Sequence, residues 1–272
     1  MIMKKFVFLL IGCIFTVTGL LAQNNVVNQV YIKGYFNQEW PIEMAIQTDG
    51  NYIAAGQVYY PGAIEVPILV AGWWEDYPSD DGSTFHNIRL YELQEDGIMS
   101  GSFIIHLKKL ANGHFQFSDA QRTYLSMEEG DEEGPIFNAT CSTVMPEWFE
   151  PTLIPATPHE IGESYEYRVH GDNGGYFEMS FNDDGSFIFD VSDNPAGDSF
   201  TEAANDADRP GRLVGNVMEY PRVNYCNDTL RATFYRYFVV VETQQVPGPD
   251  HSCNAINAVM LKKSHDEDEE GY

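Results

Sequence analysis

Basic residues are scarce in this sequence: 15 lysines and arginines stand against 41 aspartates and glutamates in 272 residues, and the formal net charge is −26. A surface of this charge repels nucleic-acid phosphates and anionic lipid headgroups. The composition therefore predicts no nucleic-acid partner and no electrostatic docking to a membrane. Cationic proteins, metal ions and neutral glycans remain as partners, and the simplest role of the charge is solubility outside a cell.

Motifs of nucleophilic and metal-dependent catalysis are also missing. The sequence has no Gly-x-Ser-x-Gly, no Ser-x-x-Lys and no cysteine flanked as in a thiol protease. No two of the seven histidines have the i, i+4 spacing of a His-Glu-x-x-His zinc site. The Asp-rich segments 79–82 and 182–185 lack the full twelve-residue pattern of a calcium loop and favour hairpin turns. We predict no such catalytic residue, no metal site and no cofactor.

Long apolar runs are absent except at the start of the chain. Lys4 and Lys5 precede the apolar segment 6–21, which closes on Ala22 before Gln23. A charged n-region, a short apolar region and a small boundary residue are typical of a secretory signal peptide, so we predict cleavage after residue 22. The segment is diluted by glycine and threonine, which disfavours a retained anchor and predicts no transmembrane helix in the mature chain.

An alternative interpretation of the same segment is a lipobox at residues 10–13, in which Cys13 becomes the lipid-bearing terminus of a lipoprotein. Cleavage after Ala22 is favoured, because processing at Cys13 leaves the apolar residues 14–21 on the mature chain without an evident use. Loss of residues 1–22 removes Lys4 and Lys5, so the mature chain carries 13 basic against 41 acidic residues, a net charge of −28.

Cysteine is sparse: only Cys141, Cys226 and Cys253 remain after cleavage. An exported protein reaches a compartment in which disulfides form. Cys226 and Cys253 are 27 residues apart within one predicted domain, and we expect them to form a disulfide between neighbouring strands. Cys141 is then a buried thiol or pairs with one of the other two, because connectivity does not follow from sequence.

Short runs rich in aromatic and β-branched residues, separated by Gly, Asn and Asp, predict an all-β chain without a long helix. Asp-Gly turns and alternating apolar positions indicate antiparallel hairpins, the best of which joins Phe177–Phe181 to Phe187–Val191 through the turn 182–185. The predicted strands are 31–36, 42–47, 51–60, 67–73, 87–92, 98–107, 114–117, 165–169, 175–181, 186–191, 212–219, 230–235, 238–243 and 257–262.

This pattern predicts two small antiparallel β-barrel or sandwich domains with about seven strands each. The proline-rich segment between them propagates neither a helix nor a central strand and is predicted as a linker. The last residues are an acidic tail, predicted to be disordered. The divisions are a signal peptide at 1–22, a first domain at 23–145, a linker at 146–160, a second domain at 161–263 and a tail at 264–272.

Paired aromatic residues are the sharpest candidates for a binding site. Tyr59-Tyr60 and Trp73-Trp74 place consecutive rings on opposite faces of a strand, so one ring of each pair is expected to face outward, where it could stack on a sugar or an apolar partner. The alternative role is to cover the open end of a barrel. The carboxylates of Glu65, Glu75 and Glu92 lie near these aromatics and are expected to be solvated edge charges.

The second half of the chain, from about residue 159 to 263, resembles the secreted β-barrels of Gram-negative bacteria grouped with periplasmic lysozyme-inhibitor-type domains. The resemblance lies in segments 174–177, 184–189 and 238–241, in Leu230, Ala232 and Phe234, and in Cys226, Cys253 and Lys262-Lys263. Cys253 is followed by Asn254-Ala255-Ile256-Asn257 where such domains often carry a glycine-rich sequence, so no inhibitory residue is transferred. In segments 34–36, 41–44, 55–60, 88–92 and 100–103, the first half is similar to a recurrent exported bacterial β-module. These resemblances imply a periplasmic or cell-surface location.

Three classes of function fit these observations. The leading hypothesis is a non-enzymatic exported binding protein of the bacterial envelope that binds or inhibits a basic protein such as a lysozyme, or binds a glycan. A carboxylate-dependent glycoside hydrolase is the second, because the many acidic residues include potential catalytic pairs. A structural subunit of an envelope assembly is the third.

Overall fold

The computed structural model describes residues 28–50, 52–93, 99–124, 134–161, 165–168, 174–182, 186–192, 200–203, 210–221, 227–245 and 257–262. The predicted signal peptide, the lipobox cysteine, the acidic tail and the Cys226–Cys253 pair lie outside these ranges. Cys141 is described, is partly buried and has a free thiol.

Eight antiparallel strands form a closed barrel in the first half of the chain. Each strand pairs with the next, and the barrel closes where Ile32 of the first strand lies opposite Cys141 of the last. The prediction of an all-β chain is confirmed. The strands are β1 (Asn28–Phe36), β2 (Trp40–Thr48), β3 (Ile53–Tyr59), β4 (Ile68–Pro78), β5 (Thr84–Leu93), β6 (Met99–Lys109), β7 (Phe115–Tyr124) and β8 (Gly134–Ser142).

Apolar side chains fill the interior of the barrel. Successive side chains of a strand point to opposite faces, so alternate residues of each strand reach the axis. An eight-stranded barrel is just wide enough for side chains to occupy its centre. The buried interior residues are Val30, Ile32, Phe36, Ile42, Met44, Ile46, Ala54, Val58, Val70, Trp74, Ile88, Leu90, Phe103, Ile105, Leu107, Ala120 and Ile136.

A second sheet of nine antiparallel strands follows. Ring contacts between distant strands show that this sheet curves strongly. Over its inner face the centroids of Phe177 and Phe234 are 5.4 Å apart, and those of Phe189 and Tyr220 are 5.0 Å apart. The order is β12-β11-β10-β9-β17-β16-β15-β14-β13. The bounds are β9 (Tyr165–Arg168), β10 (Gly174–Phe181), β11 (Phe187–Ser192), β12 (Phe200–Ala203), β13 (Arg212–Val214), β14 (Val217–Tyr220), β15 (Thr229–Phe234), β16 (Phe238–Gln244) and β17 (Asn257–Lys262).

The outer wall of the barrel packs against the outer face of this sheet. Ala55 and Ala71 project from β3 and β4 and share a buried core cluster with residues of the nine-stranded sheet. Their small side chains let the two sheets approach closely. Across this contact the indole Nε1 of Trp73 donates to Glu242 Oε1 at 3.0 Å, and the hydroxyl of Tyr235 donates to Asp49 Oδ2 at 2.9 Å. The division into two domains at the predicted boundaries stays a prediction.

The predicted linker lies against both sheets. Trp148 packs on Tyr59 of the barrel wall, with centroids 5.7 Å apart, and its Nε1 donates to Glu43 Oε2 at 3.1 Å. Further along, Leu153 is buried in the core of the nine-stranded sheet. The segment ends in one turn of helix, α1 (Pro158–Ile161). It is preceded by a capping box in which the Thr157 amide donates to Glu160 Oε2 at 2.7 Å and the Glu160 amide donates to Thr157 Oγ1 at 3.4 Å.

Candidate functional site: two polar clusters at the ends of the barrel

The two open ends of the barrel each carry a polar cluster. We call mouth 1 the end at which β1 ends and β2 begins, and to which the connection 60–67 also belongs. Mouth 2 is the opposite end, with the turns 49–52 and 79–83. Because β5 runs the full height of the barrel, it contributes Glu92 to the cluster at mouth 1 and His86 to the cluster at mouth 2.

The Trp73-Trp74 pair alternates across the wall as predicted. Trp74 points into the barrel and is only 2% exposed, and its Nε1 lies 2.8 Å from Asp76 Oδ1. Trp73 points outward, but the nine-stranded sheet covers it: its indole bonds to Glu242 and packs edge-to-face on Tyr91, with centroids 5.9 Å apart.

The Tyr59-Tyr60 pair behaves in the same way. Tyr60 packs against the interior core and its hydroxyl donates to Glu92 Oε1, while Tyr59 contacts Trp148 on the outer wall. All four rings are therefore engaged in contacts within the chain. A ligand-binding role for Tyr59, Tyr60, Trp73 and Trp74 stays a prediction, and in this arrangement it would require one of these contacts to open.

A buried ion pair lies inside mouth 1. Arg122 Nη2 is 2.6 Å from Glu92 Oε2, and Arg122 Nε is 3.4 Å from Glu92 Oε1. Both residues are buried, so the expectation that Glu92 is a solvated edge charge was wrong, whereas Glu65 and Glu75 are exposed as predicted. Burial, reinforced by the charge of Glu92, raises the pKa of the Tyr60 hydroxyl and keeps it a proton donor.

Aromatic rings and one glycine shape the space for this ion pair. The guanidinium carbon of Arg122 lies 5.7 to 5.9 Å from the ring centroids of Phe36, Tyr60 and Phe103. A Cβ at Gly101 would lie 2.7 Å from Glu92 Oε2, so glycine leaves the room that the carboxylate occupies. Because the two charges are in direct contact inside a packed wall, the geometry is that of a clamp that holds β5 and β7 together.

A histidine cluster occupies mouth 2. His86 is buried, and its Nδ1 lies 2.6 Å from Asp76 Oδ1 and 3.0 Å from the Nε1 of Trp74. The ring also packs on Phe115, with centroids 5.5 Å apart. Its other nitrogen, Nε2, is buried and has no hydrogen-bond partner among the residues that the structure describes. Burial lowers the pKa of His86, although Asp76 acts in the opposite direction.

Exposed apolar and acidic side chains form the edge of mouth 1, which we call the mouth-1 rim: Tyr35, Glu39, Trp40, Glu65 and Val66. Trp40 is 59% exposed, Tyr35 46% and Val66 73%, and both glutamates are exposed. In the register of β2 and β3, Glu43 pairs with Tyr59, which brings the start of β2 beside the connection 60–67.

The turn that carries the rim is held in an unusual conformation. Asn37 and Gln38 both have left-handed backbones, with φ of 51° and 66°, which matches the twist of a tight hairpin. The amide of Asn37 donates to the carbonyl of Pro135 at 3.2 Å, and that of Glu39 to the carbonyl of Phe36 at 3.2 Å. These bonds tie the tip to β8 and fix the base from which Trp40 projects.

Sequence reasoning did not single out Trp40. It stands alone before Pro41, not in an aromatic pair, and its exposure depends on where β2 begins. The neighbouring residues could have indicated that Trp40 is exposed, because it follows Asn-Gln-Glu at a hairpin turn, where solvent reaches side chains.

Within the part of the chain that the structure describes, no group of three or more His, Cys, Asp or Glu side chains is placed to hold a metal ion. No helix built from the described residues combines the length and the apolar character needed to cross a membrane.

Comparison with known proteins adds little. No family model matches the chain, and no curated protein matches it. A crystal structure of a DUF3598-family protein of unknown function from Nostoc punctiforme is similar over 80% of this chain and 79% of that chain, with 7% sequence identity and a TM-score of 0.29. A likeness this distant carries no argument about function.

Proposed function

We propose that this chain is an exported, non-enzymatic binding protein of the bacterial envelope and that its partner is a cationic protein, such as a lysozyme. The observation that carries the proposal is the mouth-1 rim, where an exposed tryptophan and tyrosine stand among carboxylates on a fixed hairpin. Aromatic anchors surrounded by charge of one sign are a common basis for recognising a partner of the opposite sign.

The filled barrel favours a partner that binds outside it. Seventeen buried side chains occupy the interior, the Glu92–Arg122 pair lies at mouth 1 and the His86 cluster at mouth 2. A small apolar ligand would have to displace this core, and protein cores are generally packed as tightly as organic crystals. We therefore assign binding of the partner to the outer surface of the barrel.

Electrostatics support binding of a cationic partner at the mouth-1 rim. Glu39 and Glu65 are both exposed on this rim, and the chain as a whole has a formal net charge of −26. A potential of this sign speeds the encounter with a cationic protein and weakens as salt screens it.

The proposal is tested by calorimetric titration with a cationic lysozyme and with a cationic protein that is not a hydrolase. We expect binding at about 20 mM salt that weakens strongly at about 500 mM, where the screening length falls to a few ångströms. Trp40→Ala is expected to weaken binding by about tenfold or more, as for an interface tryptophan that is a hot spot.

The matched control is Phe85→Ala. Phe85 is an exposed aromatic residue on β5 near mouth 2, in contact with Lys108, and its removal is expected to leave the affinity unchanged. Equal loss in the two variants, or no complex with either cationic protein at low salt, would contradict the proposal.

A neutral glycan is the second candidate partner, because exposed Trp40 lies beside the amide side chains of Asn37 and Gln38. Stacking on an indole and hydrogen bonding to amides suit sugar hydroxyl groups. Salt dependence separates the two candidates: glycan binding should persist at high salt, whereas binding of a cationic protein should not.

A further inference from the structure

His86 is enclosed on every side that the structure describes. Its own strand β5 places it on the interior face with Ile88. Two charged residues influence it, Asp76 from β4 and Lys109 from β6, and Lys109 is engaged by Asn28 of β1, with Nζ 2.6 Å from Oδ1. From β7 the apolar ring of Phe115 packs on it.

The hydrogen bonds fix the tautomer. Asp76 accepts, so the proton of the neutral imidazole lies on Nδ1 and is donated to Asp76 Oδ1 at 2.6 Å. The indole of Trp74 then donates to the same carboxylate oxygen at 2.8 Å. Nε2 is left as an unprotonated nitrogen in an apolar setting, where the missing bond is tolerated because the ring is uncharged.

Protonation changes this balance. A second N–H at Nε2 would be a charged donor without an acceptor among the described residues. A buried donor of this kind carries a large desolvation penalty, which is relieved only if the ring reaches water. Movement of the ring would also withdraw a partner from Asp76 and Trp74, the two residues of β4 that His86 contacts from β5, and would separate the ring from Phe115 of β7.

We propose that His86 is an acid-sensitive latch at mouth 2: the neutral ring holds the end of the β4–β5 hairpin against Phe115 of β7 over the barrel core, and its protonation releases this end. The device is independent of the partner that binds at mouth 1. It makes the closure of one end of the barrel depend on pH.

The direction of the effect follows from linkage. The ring titrates at its ordinary value of 6.5 in the unfolded chain, and its pKa is lowered in the folded protein by burial. The unfolded state therefore binds more protons, and the stabilisation is complete above about pH 6.5 and is lost as the pH falls below it. Each unit by which the pKa is lowered corresponds to about a tenfold fall in the folding equilibrium constant in acid.

The first test measures urea unfolding from pH 8 to pH 4.5 for the wild-type protein, His86→Phe and His106→Gln. His106→Gln is the control, because His106 also lies 2.6 Å from an aspartate, Asp119, but is exposed. We expect the wild type and His106→Gln to lose stability below pH 6.5 with a steeper slope than His86→Phe. Equal slopes in all three proteins would overturn the proposal.

The second test needs no variant and applies even if His86→Phe does not fold. Histidine-selective NMR of the wild-type protein should show the His86 ring titrating below 6.5, the ordinary value of the side chain, with the Nδ1-protonated tautomer at neutral pH. Hydrogen exchange at the Trp74 indole, corrected for intrinsic rates, should rise at least tenfold once His86 is protonated. Titration of His86 at 6.5 or above, or unchanged protection of Trp74, would refute the latch.

Discussion

Breaking the ion pair inside mouth 1 should destabilise the barrel strongly when only one partner is removed. Glu92 is fully buried and Arg122 nearly so, and their closest atoms are 2.6 Å apart. Removal of one member of a buried pair leaves the other charge without compensation and costs about 3–5 kcal/mol in comparable cases. We therefore expect losses of this size for Glu92→Leu and for Arg122→Met.

The double variant should recover most of this loss. Replacement of both charges by apolar side chains removes the uncompensated charge, and such exchanges are often neutral or stabilising. The hydroxyl of Tyr60 would still lose its acceptor, so Tyr60→Phe is added in a triple variant to remove the last polar atom. A coupling energy of at least about 2 kcal/mol between Glu92 and Arg122 is the expected result of the cycle.

The assay is equilibrium unfolding in urea followed by circular dichroism. The control is the same cycle on Lys108 and Asp81, a surface pair 3.2 Å apart in which Asp81 is exposed and Lys108 is half-buried, and for which the coupling should stay below about 1 kcal/mol. Additive effects of Glu92→Leu and Arg122→Met, within about 0.5 kcal/mol, would refute the clamp.

Three further predictions concern other parts of the molecule. Gly134→Ala should destabilise the barrel by about 1–3 kcal/mol in thermal unfolding, because its Cβ would overlap the ring of Phe36; an unchanged melting temperature would contradict this. Glu242→Gln should weaken the bond from Trp73 across the two sheets and cost about 1 kcal/mol in urea unfolding; no change in stability or in indole fluorescence would count against it. Burial raises the pKa of the Cys141 thiol to about 11, so its reaction with a disulfide reagent at pH 8 should be slow, judged by difference from Cys141→Ser; rapid modification would show the thiol to be exposed.

Local alternation was enough to predict the best hairpin. Apolar residues at every second position of β10 and β11 fixed which side chains face inward, and the observed register pairs Phe177 with Val191 and Met179 with Phe189, as expected. The same alternation correctly separated Trp73 from Trp74. Period-two patterns thus carry much of the strand and register information in this chain.

Strands defined by distant partners were not predictable. Strand β8 contains proline and a left-handed Asn138, with φ of 52°, and has no clean alternation. It is a strand because β1, more than one hundred residues earlier, pairs with it and closes the barrel. Strand β12 was also missed, and the predicted strand 212–219 is a hairpin that turns at Gly215, with φ of 61°.

The partners within the two polar clusters were likewise not predictable, because they come from different strands. Alternation places His86 and Glu92 on the inward face of β5, together with Ile88 and Leu90. The sequence did not predict which residues pair with these two buried polar groups. Arg122 reaches Glu92 from β7, and Asp76 reaches His86 from β4. A charge on an apolar face is therefore best taken as a sign of a buried partner.

The central claim is that the chain binds a cationic protein through the mouth-1 rim. Chemical-shift mapping of the isotope-labelled chain during titration with a cationic lysozyme at low salt tests it most directly. The account predicts perturbations that concentrate on Tyr35, Trp40 and Val66 and disappear at high salt. Perturbations confined to mouth 2, or none at any lysozyme concentration, would contradict it.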